Sequence, residues 1–209
     1  MPVVPALGDP LPDDAITAAK HLLLDGEIVA IPTDTVYGLA ANPYVPGATE
    51  RLFNVKQRPR AVSLPVLVSG IDEALSLGAA VPAGAVALMD RFWPGALTVV
   101  IPCRPDLGAD LGDDEVTIGV RCPDHPVAMA LCWAVGPLAT TSANLHGQPT
   151  LRTAADVDAA LGSAVPLVLD GGRCDGEPST VVDCTGQEPK LLRDGRVPWA
   201  DVREVFFAG

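Results

Sequence analysis

Three cations, Lys56, Arg58 and Arg60, fall within the short stretch Val55-Lys56-Gln57-Arg58-Pro59-Arg60, and Arg51 stands one or two helical turns ahead of them. The chain has 14 Lys and Arg against 26 Asp and Glu, a formal net charge of -12, so this local knot of positive charge needs a cause. Cations at a helix exit offset the negative pole of the helix, and that alone would suffice. A clamp for an anionic substrate also fits, because the planar arginine fork suits phosphate and carboxylate. Elsewhere, hydroxyl and amide residues recur where strands are expected to end: Thr33 to Thr35, Thr140 to Asn144, and Ser179 with Thr180, each with an arginine nearby. The set lacks a convincing nucleophile–base pair or metal cluster. It suits electrostatic positioning of anions, as nucleotide chemistry requires, better than hydrolysis of a neutral substrate. Neither a GxxxxGK[ST] loop nor a GxGxxG fingerprint is present.

The elements that would position these residues follow from periodicity and breakers. Asp13 or Asp14 can cap a helix carrying Ile16, Ala19, Leu22 and Leu23, with Gly26 as its stop. Residues 27–31 read as a short buried strand, which puts 32–39 at its C-terminal end, where open α/β sheets hold ligands; an ordinary turn capped by Thr and Asp fits as well. A helix over 48–55 must end at or before Arg58, because the residue preceding a proline avoids helical backbone. Lys56 and Arg58 then sit at its exit, with side chains free to meet a ligand. A strand over 64–68, helices over 71–77 and 82–92, and a strand over 97–101 follow. The acidic stretch 104–115 reads as an exposed, solvated loop. Residues 116–121 alternate as a strand with Thr117, Gly119 and Arg121 on one face. His125 beside Asp124 is better placed to cap the helix 127–133 than to form a catalytic dyad. The remainder reads as a strand from 138, a helix over 154–161, strands over 167–169, 179–183 and 190–192, and a closing helix over 199–207.

With 209 residues, 48% of them hydrophobic, the chain can close one sizeable core, and we expect a single domain over 1–209. A pI of about 4.4 argues against a protein whose main task is coating nucleic acid. Five scattered cysteines without a CxxC pair predict reduced, mostly buried thiols and hence a cytoplasmic protein. The N-terminal residues carry no basic-then-apolar secretory pattern, and no run approaches the ~20 apolar residues of a membrane helix.

Taken in order, PTDTVYGL at 32–39, KQRP at 56–59, FWPGALT at 92–98, TIGVRCPDHP at 117–126, TTSAN at 140–144, STVVD at 179–183 and LRDG at 192–195 resemble the YrdC-like (YrdC/YciO) threonylcarbamoyl-AMP synthases in their short single-domain form. The resemblance runs over a core of about 15–195. It implies an α/β fold, a twisted open mixed sheet flanked by helices, with a concave ligand-binding surface. It also implies a nucleotidyltransferase that makes threonylcarbamoyl-AMP and pyrophosphate from L-threonine, bicarbonate and ATP, for threonylcarbamoyladenosine on tRNA. Carried over by motif, Thr35, Ser69, Arg121, Thr140 and Ser179 take the threonine-binding positions, and Arg58, Thr117, Ser142, Thr150 and Arg193 the ATP-binding ones. Lys56, Arg58, Ser142 and Asn144 form the paired KxR and SxN signatures, expected to hold phosphates or carbamate. Mg²⁺ is expected to accompany ATP, bridging phosphates with no protein-held metal. A downstream tRNA threonylcarbamoyl transferase is the expected partner, direct RNA binding is expected to be weak or absent, and no membrane is involved.

Two departures bear on the amino-acid side. The segment PRAVSL at 59–64 is about two residues longer than the family's common spacing and has Leu64 where many members place Asn; Ser69 stands where longer members carry a histidine. A YciO-like or carbamoyl-AMP-forming paralogue and a double-stranded RNA-binding module are the rival readings. Facing a ligand, Lys56 and Arg58 would each be expected to give an alanine variant that loses adenylate formation with little loss of stability.

Overall fold

A computed structural model describes residues 2–114, 116–145 and 147–208. The strands are β1 (Val3–Pro5), β2 (Val29–Ile31), β3 (Gly38–Ala41), β4 (Val66–Leu67), β5 (Leu97–Pro102), β6 (Thr117–Arg121), β7 (Leu138–Ser142), β8 (Leu167–Asp170), β9 (Thr180–Asp183) and β10 (Lys190–Arg193). The helices are α1 (Asp13–Leu24), α2 (Ala48–Lys56), α3 (Ile71–Leu77), α4 (Ala83–Phe92), α5 (Pro126–Val135), α6 (Ala154–Leu161) and α7 (Trp199–Ala208). All strands join one mixed sheet in the order β1-β8-β2-β3-β7-β4-β6-β5-β9-β10. Pairs β1/β8, β2/β8, β4/β6 and β5/β9 are parallel; β2/β3, β3/β7, β4/β7, β5/β6 and β9/β10 are antiparallel.

The two-residue period of each strand divides the core between the faces of this sheet. Ala30, Leu39, Ala41, Val99, Val120 and Val168 belong to the larger core, which also takes in buried residues of α2, α3, α4, α6 and α7. Their strand neighbours Val29, Ile31, Ala40, Leu167 and Leu169 point the other way, into a smaller core under α1 and α5. Those two helices cover the second face over β8, β2 and β3 and reach Leu138 of β7 and Leu67 of β4. Further along, the same face carries Thr98, Val100, Thr117, Gly119, Arg121 and Val181, and these floor a cavity instead of packing under a helix.

Several expectations meet small corrections. Helix α1 starts after Pro12 with no side-chain cap, and Asp14 Oδ1 instead accepts from Ala15 N at 2.9 Å. Two strands are absent from the sequence reading: β1, which forms one edge of the sheet, and β3, which joins β2 to β7. The acidic loop is not wholly solvated: Asp110 bonds Thr49 and Arg60, and Leu111 is buried. Glu115, at its end, lies outside the described residues. His125 does cap α5, its Nδ1 accepting from Val127 N at 3.2 Å. Cys122, Cys132, Cys174 and Cys184 are free and buried; burial pushes the Cys184 thiol up to about 12, which keeps it an inert hydrophobe. Among the described residues no helix is long and apolar enough to cross a membrane.

Helix α7 seats on α4 through one glycine. A Cβ at Gly84 would lie 2.7 Å from the Phe206 carbonyl oxygen and 2.8 Å from its ring. Because backbone as well as side chain would have to give, Gly84→Ala is expected to destabilise by about 1–3 kcal/mol, the cost of overpacking. Urea unfolding of the variant checks this, and an unchanged midpoint would contradict it.

Candidate active site

The uncovered part of the sheet face is a cavity of about 530 Å³. Its polar lining is Thr33, Thr35, Arg58, Ser63, Thr98, Thr117, Arg121, Thr140, Thr141, Ser142, Thr150, Ser179 and Arg193, and its apolar lining includes Ile31, Val62, Leu64, Pro65, Leu67 and Leu192. No carboxylate, histidine, cysteine or lysine lines it among the described residues. The chain is strongly acidic, yet the only ionisable side chains in this lining are three arginines.

At one end stands Arg121, at the C-terminal end of β6, only 9% of its side chain exposed. Its Nε donates to Gly95 O at 3.0 Å, its Nη1 to Thr35 Oγ1 at 3.1 Å and its Nη2 to Asp34 Oδ1 at 2.6 Å. Burial lowers the pKa of Arg121, and the charge of Asp34 works in the opposite direction. The acceptors come from two of the motifs. In FWPGALT, Trp93 Nε1 donates to Leu97 O at 2.7 Å and fixes the turn that presents the Gly95 carbonyl. In PTDTVYGL, Thr33 Oγ1 donates to Val36 O at 2.6 Å and accepts from Thr35 N and Val36 N at 3.2 Å, so Thr33 closes the turn and leaves Asp34 to reach outward.

Across the floor, Arg193 donates through Nε to Ser179 O at 3.0 Å and through Nη2 to Ser179 Oγ at 2.8 Å; Thr98 and Ser179 share a further bond of 2.9 Å. The glycine of LRDG makes this approach possible. A Cβ at Gly195 would come within 2.4 Å of Pro178 O and 2.6 Å of Thr180 N. Arg58 forms the opposite wall, donating to Val62 O at 2.8 Å and Ser63 O at 2.9 Å. Burial lowers the pKa of both Arg58 and Arg193, and each also feels a neighbouring arginine: Arg193 acts on Arg58, and Arg121 on Arg193. Among the described residues neither Arg58 nor Arg193 has a carboxylate within ion-pair distance, whereas Arg51, Arg60, Arg104, Arg152 and Arg173 are all paired with Asp or Glu.

The cation knot of 51–60 is therefore four separate arrangements, of which Arg58 alone lines the cavity. Arg51 turns to Gly26 O and Glu27, and Arg60 stacks 4.9 Å over Phe53 and pairs with Glu50, Asp110 and Asp113. Lys56 departs furthest from expectation. It is 2% exposed and does not line the cavity. Its ammonium donates to Ser142 O at 2.6 Å, to Asn144 O, and to Asn144 Oδ1 at 2.9 Å. Ser142 Oγ stands 3.4 Å from the same nitrogen, so three donors face four oxygens and none is left over for a ligand. Asn144 in turn donates to Leu145 O and Gln148 O at 3.0 and 2.5 Å. Together they staple the end of α2 to the turn that follows β7, between the lining residues Ser142 and Thr150. Burial, and after it the charge of Arg58, brings Lys56 down to about 8.

Of the positions proposed from sequence, Thr35, Arg58, Thr117, Arg121, Thr140, Ser142, Thr150, Ser179 and Arg193 line the cavity. Lys56, Asn144 and Ser69 do not. Ser69 turns away because its N–H and Oγ both bond Glu73 Oε2, at 2.6 and 2.9 Å. The Thr117 hydroxyl is held at the rim by Asp114 Oδ2, 2.5 Å away. Thr33, Asp34 and Thr98 were not named as site residues, although Thr33 and Asp34 lie in the 32–39 strand end marked as a place for ligands, and the strand period that puts Val100 on the floor puts Thr98 there too.

The family model of the Sua5/YciO/YrdC proteins, described as telomere recombination, matches residues 21–195. The chain belongs to this family. A relative in Bacillus subtilis named threonylcarbamoyl-AMP synthase is 39% identical over 197 residues, 93% of this chain but 57% of its own length. A Klebsiella pneumoniae relative of the same name is 34% identical over 193 residues, 88% of this chain and 98% of its own. Among solved structures, the family member Sua5 of P. abyssi complexed with L-threonine superposes with a TM-score of 0.88 at 32% identity, over 98% of this chain and 61% of that one. The YciO protein of E. coli gives 0.83 at 27% identity, over 94% and 95%.

Proposed function

We propose that the chain is an L-threonylcarbamoyladenylate synthase, a nucleotidyltransferase that forms threonylcarbamoyl-AMP and pyrophosphate from L-threonine, bicarbonate and ATP. The observation that carries this reading is the lining itself: three arginines, two without a protein counter-charge, among hydroxyls and with no acid, in a protein of net charge -12. Such a cavity favours a polyanion. The threonine bound by the P. abyssi relative supports the amino-acid half.

The chemistry asks for alignment. The threonine amine attacks the carbon of bicarbonate, water leaves, and a carbamate oxygen then attacks the α-phosphorus as pyrophosphate departs. Arg121, with Thr35, Thr140 and Ser179 beside it, takes the threonine; Arg58, Arg193, Ser142, Thr117 and Thr150 take the nucleotide. With no general base in the lining, the rate advantage comes from holding the reactants together and from arginine charge on the phosphates. Mg²⁺ would travel on the phosphates, because the lining offers no carboxylate and no group of three or more His, Cys, Asp or Glu among the described residues could hold a metal. The product, a reactive mixed anhydride, would pass to a tRNA threonylcarbamoyl transferase. Direct RNA binding has little support, since within the cation cluster Arg51 and Arg60 are paired with acids, and Arg58, Arg121 and Arg193 line the cavity.

Purified protein with ATP, Mg²⁺ and bicarbonate is expected to release pyrophosphate only when L-threonine is added. Release with no amino acid at all would sink the assignment. Binding of ATP without threonine would move the chain toward a YciO-like activity.

A further inference from the structure

We propose that Asp34 is a positioning residue that sets the Arg121 guanidinium for the carboxylate of the amino-acid substrate. The inference rests on the proposed function and goes beyond it, because Asp34 is absent from the cavity lining and touches no substrate atom in that scheme.

Asp34 does not serve its own turn, whose backbone is satisfied by Thr33. Its Oδ1 accepts instead from Arg121 Nη2 at 2.6 Å and from Asp124 N at 3.1 Å, joining the turn after β2, the end of β6 and the entry to α5. The pair is nearly dry, with 9% of the Arg121 side chain and 12% of the Asp34 side chain exposed. The segment after β8 presses on it from behind: a Cβ at Gly176 would lie 2.1 Å from Asp34 O and 2.8 Å from the Thr35 Cα. The backbone that carries the acid is therefore held in place.

A guanidinium has five N–H donors. Gly95, Thr35 and Asp34 use one each, on Nε, Nη1 and Nη2. One N–H on each terminal nitrogen is left, the pair that can grip a carboxylate in two-point fashion. Of the three fixing contacts, Asp34 supplies the only charged one. It holds the arginine still and also cancels much of its charge, and these two effects have opposite consequences for ligand binding. Positioning helps an anionic ligand; neutralisation and the proximity of a second carboxylate hinder it.

That opposition makes a neutral replacement decisive. With Asp34→Ala, which removes the acceptor together with the charge, loss of positioning is expected to raise the KM for L-threonine about tenfold while leaving the KM for ATP within about twofold, in pyrophosphate release measured well below the melting midpoint. A threonine KM that is unchanged or lower shows Asp34 to be only a neutraliser and overturns the proposal, as does an equal rise in both KM values. Asp34→Ser gives the same readout if the Ala variant is too unstable to purify. Wild-type protein inactive with threonine overturns the functional assignment and this inference together, whereas active wild type with an unaffected variant overturns this inference alone.

Discussion

Lys56→Ala is expected to lose about 3 kcal/mol of folding stability, a size set by stranding buried hydrogen-bond partners, and to lose activity as a consequence. The side chain is almost wholly buried and its three N–H groups are committed to Ser142 O, Asn144 O and Asn144 Oδ1. Truncation leaves those oxygens facing a void, without water and without a donor. Ser142 and Thr150, which flank the stapled turn in the lining, would then lose their register, so catalysis falls although no ligand contact has been removed. Lys56→Met separates the two costs: it restores most of the volume but none of the donors, and its unfolding midpoint should lie between those of wild type and Lys56→Ala. pH gives a further check. Burial and Arg58 depress the lysine from 10.5 to about 8, so between those values the unfolded chain holds more protons than the native state. The penalty for the buried charge is full below about 8 and is relieved as pH rises toward 10.5, so over that window wild type should gain stability relative to Lys56→Met. An alanine variant as stable as wild type would return Lys56 to the role of an open ligand clamp.

That reversal was within reach of the sequence. Lys56 lies four residues after Leu52 and three after Phe53, both buried on α2, and this spacing puts the lysine on the buried face. The proline rule ended the helix in nearly the right place but said nothing of which way its last side chain points. Ser69 was harder to foresee: the capping box sets Ser and Glu three apart, whereas Gly70 is the N-cap of α3 and Glu73 reaches back four residues to Ser69. Strand alternation, by contrast, correctly put Thr117, Gly119 and Arg121 together on the floor, because a half-buried strand has only two faces to choose from. Strand β3, Gly38–Ala41, was invisible because GLAA has no β-branched residue and owes its extended form to pairing with β2 and β7 on either side. The Asp34–Arg121 pair joins residues 87 apart in sequence; composition and period carry no information about such a meeting.

Arg58→Ala is expected to behave in the opposite way to Lys56→Ala, with pyrophosphate release down about 10²–10³-fold, the cost of removing a charged donor from a developing anion, and stability changed by less than about 1 kcal/mol. Arg58 is only partly buried, lies on the cavity wall, and makes its two protein bonds to carbonyls of the 62–63 loop. Those bonds aim the guanidinium; they do not neutralise it. Its charge faces that of Arg193, which lowers its pKa after burial does, so the free protein carries an uncompensated cation that phosphate would relieve. Removing it should ease the empty site slightly while depriving the nucleotide of a counter-charge. Arg58→Lys discriminates charge from geometry, because an ammonium can meet phosphate but cannot also bridge Val62 O and Ser63 O in one plane. The lysine variant should therefore recover part of the ATP affinity and little of the turnover. Activity of Arg58→Ala within about threefold of wild type, or a large fall in its melting temperature, would show that the arginine braces the loop and does not serve the nucleotide.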